Sequence, residues 1–142
     1  MATLQIKNGE IALSLTPIGC VDNSAEYPFY SVCYDLQVDF EAEGIRYSRI
    51  WQCYVGELNK FEADLIAMRN SNRCAQAVLA PRCEAGSLAI EKTVVPYEAY
   101  SLTFRLPASL HSDININGQS MLDQSYINII IAGVNEIKSF RV

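Results

Sequence analysis

The chain has 142 residues, of which half are hydrophobic and 19% charged, and it carries a net charge of -5 at neutral pH. That length fits one domain with one core, and the apolar fraction excludes a disordered chain. The acidic balance disfavours nucleic acid and anionic membranes, both of which attract basic patches, and favours a basic partner.

No basic stretch leads into a long apolar run at the start of the chain. The longest apolar run, Ile129 to Val134, falls far short of the ~20 residues of a membrane-crossing helix. A cytoplasmic protein is therefore expected. The five cysteines, Cys20, Cys33, Cys53, Cys74 and Cys83, are odd in number, widely spaced and free of Cys-x-x-Cys pairs. Neither a disulfide framework nor a zinc site is expected, and free thiols are.

In chain order, Leu4 and Ile6, then Ile11, Leu13 and Leu15, alternate about Asn8-Gly9, which predicts a hairpin of strands 3–7 and 11–16. Pro17, Gly19, Asp22, Asn23, Ser24 and Pro28 predict a turn-rich connection. The dominant signal follows. Tyr30, Val32, Tyr34, Leu36, Val38 and Phe40 share one face of an eleven-residue alternation, with Ser31, Cys33, Asp35, Gln37 and Asp39 opposite. A period of two specifies a strand with one dry and one wet side.

Residues 41–44 turn the chain into a strand over 45–55, where apolar Ile50 and Tyr54 on the second face predict cover on both sides, supplied by the next element. That element is a helix over 56–70, with Leu58, Phe61, Leu65 and Met68 at helical spacing. Asn70-Ser71-Asn72 supplies its stop, through the left-handed conformation asparagine tolerates. A short apolar segment occupies 74–80. Leu88, Ile90 and Val94, then Tyr100, Leu102, Phe104 and Leu106, predict a second hairpin around Pro96-Tyr97-Glu98. Ile114 and Ile116 predict a strand ended by Asn117-Gly118, and Asp123 or Ser125 is positioned to cap a C-terminal helix over 126–139. Ile127, Ile130, Ile131, Val134 and Ile137 give that helix a dry face, although Gly133 within it costs about 1 kcal/mol relative to alanine. The whole reads as a single α+β domain, 1–142, of mostly antiparallel sheet, sandwich-like or strongly curved, with one central and one C-terminal helix. No internal repeat is visible.

Few chemical constellations are encoded. The single histidine, His111, excludes a histidine pair or a multi-histidine metal cage, and the dispersed glycines form no phosphate loop. Strand cysteines read as small buried hydrophobes. Asp39 and Glu41 lie two positions apart, a spacing of roughly 6.5–7 Å that a glycosidase uses, but the wet face of a strand offers no enclosure to raise a pKa. No enzyme activity, cofactor or metal is expected. Asp35, Gln37, Asp39 and Glu41 instead read as an acidic docking stripe, with Tyr54 or Tyr97 as an aromatic anchor.

The strand at 51–55, the Glu57-Leu58-x-x-Phe61-x-x-x-Leu65 helix, the Leu88-x-Ile90 and Leu102-x-Phe104-x-Leu106 strands, and Asp123-Gln124-Ser125-Tyr126 before a last helix resemble the small bacterial immunity proteins of the WapI type. The resemblance covers residues 30–139. It implies a cytoplasmic, non-enzymatic protein that neutralises the toxic C-terminal domain, often a nuclease, of a polymorphic or contact-dependent growth inhibition toxin. Its alternative is a small-ligand or protein-binding β module without catalysis. The oligomeric state is left open.

Overall fold

The computed structural model describes residues 3–23, 27–72 and 74–141. In order it contains β1 (Leu4–Lys7), β2 (Ile11–Asp22), a 3-10 turn (Pro28–Tyr30), β3 (Val32–Ala42), β4 (Ile45–Tyr54), α1 (Val55–Asn70), β5 (Gln76–Leu79), β6 (Ser87–Thr93), β7 (Ala99–Pro107), β8 (Asn115–Leu122) and α2 (Tyr126–Ser139). The fold is α+β. Two antiparallel meanders, β1-β2-β3-β4 (sheet A) and β5-β6-β7-β8 (sheet B), are each followed by a helix. The chain therefore repeats a ββββα unit, which the sequence does not reveal because the halves share a course and not a residue pattern.

Alternation sets which faces are hidden. Val32, Tyr34, Leu36, Val38 and Phe40 of β3 are buried, as are Leu4 and Ile6 of β1 and Leu13 and Leu15 of β2. The sheets bring these faces together in one continuous core. The Phe40 ring of β3 lies 4.7 Å, centroid to centroid, from Phe104 of β7. The Tyr47 hydroxyl of β4 donates to the Pro107 carbonyl at 2.8 Å and accepts from Trp51 Nε1 at 3.1 Å, which satisfies the polar atoms of two large buried side chains. The helices close the strand ends of each other's repeats: α1 packs on β5 and α2 on β1. Gly133 of α2 permits that second contact, because a Cβ there would lie 2.8 Å from the Leu4 Cα.

Several boundaries differ from the sequence expectation. Residues 16–22 are strand and not turn, with the pairing register shifting between Pro17 and Gly19. Beyond Leu15, β2 has left its pairing with β1, and on a strand with one partner a proline sacrifices no ladder bond that a bulge cannot absorb. Of the predicted turn residues, Ser24 lies outside the described set. Tyr30 belongs to the 3-10 turn, where Pro28 fixes the first position and both the amide and the hydroxyl of Ser31 return to the Pro28 carbonyl. Strand β4 gives way to helix at Val55, and its outer face is open: Ile50 is 49% exposed. Helix α1 ends with Ser71 extended, and no described non-glycine residue has a positive φ, so the left-handed asparagine stop is not used. Val94 and Ile114 are exposed and lie outside strands. Asn117-Gly118 does not end a strand but sits inside β8, opposite Arg105 and Phe104. A side chain on Gly118 would meet the Phe104 ring at 2.6 Å, so the glycine makes room for an aromatic and not for a turn.

The remaining elements follow their patterns. Asn8 Oδ1 accepts the amides of Glu10 and Ile11 and closes the first hairpin. Gly44, at φ 74°, supplies the positive φ of the β3–β4 turn. Helix α2 spans Tyr126–Ser139 with Ile127, Ile130, Ile131, Val134 and Ile137 buried, and Asp123 Oδ1 accepts the Ser125 amide ahead of it. No helix among the described residues is long and apolar enough to cross a membrane.

Candidate docking face

The outward residues of sheet A form one continuous face, because the register sets them in rows across all four strands. One row runs Gln5, Ser14, Asp39 and Ser48; the next places Lys7, Ala12, Glu41 and Arg46 side by side. Four predicted docking residues, Asp35, Gln37, Asp39 and Glu41, line β3 on this face. Asp39 and Glu41 are exposed, whereas Asp35 and Gln37 are partly covered.

Asp39 is held in place. Its Oδ1 accepts from Ser48 Oγ at 2.8 Å and from Gln37 Nε2 at 3.2 Å, and Gln37 also donates to Ser48 Oγ at 2.7 Å. These bonds orient the carboxylate through Oδ1 on a residue that is itself exposed. Glu41 faces Arg46 at 3.7 Å, an exposed pair that contributes little to stability. A shallow basin of about 560 Å³ opens over this end of the sheet, with Gln5, Ser14, Asp39, Glu41, Arg46 and Ser48 in its lining. It lies on the surface and does not enclose its contents, so neither carboxylate is buried beside the other as a general acid requires.

The other end of the face is apolar and aromatic. Tyr54 pairs with Cys33 across β4 and β3, and its ring meets Tyr30 edge-on at 5.0 Å, with Phe29 4.8 Å beyond. The Arg82 guanidinium lies over the Tyr30 ring at 5.3 Å and bonds its hydroxyl. Ile18, Val21 and Ile50 are exposed on the same side. Glu57, in the first turn of α1, ties this end together by accepting the Tyr54 amide at 2.8 Å and the Arg82 amide at 2.7 Å. The Cys83 and Cys33 thiols beside it push the Tyr54 hydroxyl above its ordinary pKa. Burial, then Asp35, pushes the Cys33 thiol up as well.

Tyr97 does not belong to this face. It is 70% exposed in the connection between β6 and β7, in sheet B, with Val95 equally prominent beside it. Ile18 and Val21 are the residues sequence reasoning missed, because it placed them in a turn. No period-two signal could have found them, because the register shift at Ile18 breaks the alternation. Lone His111 is exposed in the β7–β8 connection, and the described residues contain no group of three or more metal-ligating side chains. Cys53 is fully buried and the other four thiols are partly covered, with no disulfide among them.

No family model matches the chain, and no curated protein sequence does. Among solved structures, one described as the plant transcriptional regulator PBF-2 superposes with a TM-score of 0.47 at 8% identity, covering 94% of this chain and 78% of that one.

Proposed function

We propose that this chain is a binding protein without chemistry of its own, which docks a cationic protein on the outer face of sheet A. In the reading carried by the WapI-type resemblance, that partner is the toxic C-terminal domain of a polymorphic or contact-dependent growth inhibition toxin, and the chain is its immunity protein. The observation that supports this is the composition of one open face: a pre-oriented, solvent-facing carboxylate at Asp39 beside Glu41 at one end, and a tyrosine, arginine and isoleucine cluster at the other. Interfaces take their binding energy from such aromatic and arginine anchors, while acidic groups speed capture of a basic partner. A nuclease presents such a basic groove to phosphates. In that reading the chain acts in the cytoplasm, where an invading toxin domain would work.

Co-expression with the toxin encoded beside this chain tests the reading. Growth should be restored by the wild-type chain. Asp39→Lys should slow association about tenfold at low salt, with the difference shrinking as salt rises. Growth unchanged with and without the chain would remove the immunity role, and equal on-rates at all salt concentrations would remove this face. The basin favours a second reading, a module for a small polar ligand. Absence of any thermal stabilisation across a library of sugars, nucleotides and amino acids would eliminate it.

A further inference from the structure

Two sheets have four edges, and this molecule treats them unequally. Strand β1 is four residues long and lies under α2, and β5 is four residues long and lies under α1. The ten-residue edge β4 carries Arg46 and Arg49, and its Gln52 amide is already taken by Glu84 Oε2 at 3.1 Å. Charges, short length and covering elements are the devices by which proteins keep sheet edges from pairing with other chains. The fourth edge, β8, has none of them over most of its length among the described residues. Its eight residues, Asn-Ile-Asn-Gly-Gln-Ser-Met-Leu, include neither a charge nor a proline. At its far end Asn8 Nδ2 reaches Ser120 Oγ and the Met121 carbonyl, so the open stretch is Asn115 to Gln119.

We infer that β8 pairs with β8 of a second copy of this chain, antiparallel about a twofold axis at Asn117, joining two B sheets into one of eight strands. Self-pairing requires a strand that tolerates its own reverse. About that axis Asn117 faces Asn117 of the other copy, amide to amide, and Gln119 faces Asn115, whose carboxamide already accepts from Arg105 Nε at 3.3 Å and donates to the Asp113 carbonyl at 3.1 Å, so Asn117 is the pair on which the contact centres. Carboxamides both donate and accept, and such pairs form side-chain ladders between strands. No residue in the window carries a charge that would repel its copy. The edge also lies on a sheet other than the one proposed to dock a toxin.

A contact made by one strand pair buries less than a standard interface, so dimerisation belongs in the micromolar to millimolar range. Sedimentation equilibrium on the full chain across that range should show a monomer–dimer equilibrium, with exchange of amides 115–119 slowing as concentration rises. Asn117→Lys sets two ammonium groups opposite each other and should weaken association at least tenfold. An equimolar mixture of Asn117→Lys and Asn117→Asp chains should restore it. A wild-type chain that stays monomeric at millimolar concentration overturns the inference. So does a dimer whose 115–119 amides exchange at a rate independent of concentration, or one that Asn117→Lys leaves intact. The amide measurement needs no variant, so it decides the matter even if a substituted chain fails to fold.

Discussion

Replacing Gly133 by alanine should destabilise the protein, against the usual preference of helices. In an unobstructed helix interior the change is favourable by about 1 kcal/mol. Here the added methyl would stand 2.8 Å from the Leu4 Cα, 3.0 Å from its Cβ and 3.2 Å from its Cγ, all inside ordinary contact distance. The nearest atom is backbone in β1 and cannot swing aside. Helix α2 must back away by roughly half an ångström to one ångström, a gap at which about a quarter to a half of each dispersion contact is lost. The retreating face is the one that buries Ile130, Ile131, Val134 and Ile137. Overpacking of this kind costs about 3 kcal/mol at the upper end, leaving a net loss of about 2 kcal/mol after the helical gain. For a domain of this size that lowers Tm by roughly 5–10 °C. Differential scanning calorimetry of Gly133→Ala reads this directly, with Ala132→Gly on the exposed side as the control that should cost about 1 kcal/mol. An unchanged or raised Tm for Gly133→Ala would refute the close approach of α2 to β1. Rescue by an added Leu4→Ala change would show that the obstruction is side chain and not backbone.

Lys92, with a side chain only 4% exposed, donates to the Met68 carbonyl at the end of α1 at 2.8 Å and lies 3.9 Å from Glu98. Lys92→Met keeps the packing but strands that carbonyl, and urea denaturation should show a loss of about 2 kcal/mol; a loss under about 0.5 kcal/mol would contradict the capping role. Arg49 Nη1 is buried with no hydrogen-bond partner among the described residues, although the guanidinium acts on the Tyr47 hydroxyl and holds its pKa down against burial, so Arg49→Met should leave stability unchanged or raise it by about 1 kcal/mol, and a large loss in the same assay would mean that the Tyr47 interaction outweighs the cost of burying the charge. Burial pushes the Cys53 thiol well up and, as the leading cause, the Cys33 thiol and the Tyr34, Tyr47 and Tyr100 hydroxyls up as well. The unfolded chain therefore ionises first, at about 8.5 for thiols and about 10 for phenols, and binds fewer protons than the folded one as pH climbs. Stability should be fully present below the thiol value and decline as pH rises through both ranges; thermal melts at constant ionic strength that show no decline would refute it.

The long alternations were legible because one face of each strand is hidden: β3, β6, β7 and α1 lie within a few residues of where their patterns put them. The same logic put Asp35, Gln37, Asp39 and Glu41 on one outward face, as they are in any strand that buries Val32 through Phe40. Misreadings came where tertiary context outweighed a local signal. Pro17 and Gly19 read as breakers, yet a strand with one partner absorbs both in a bulge. Asn117-Gly118 read as a turn, yet Gly118 answers to an aromatic ring 14 residues earlier in the chain, at Phe104. Tyr97 read as a possible neighbour of the stripe, and only the division into two sheets assigns it elsewhere. The repeat itself was invisible because the two units conserve a path, with different residues serving it.

The exchange of helices between the two units bears on how the molecule is made. As the chain leaves the ribosome, the first four strands and α1 emerge before β5, the strand on which α1 rests, and β1 waits for α2, which follows the strands of both sheets. Neither half covers all of its own apolar surface, because the two sheets and both helices share one core. Closure of the shared core then waits until both helices have been made.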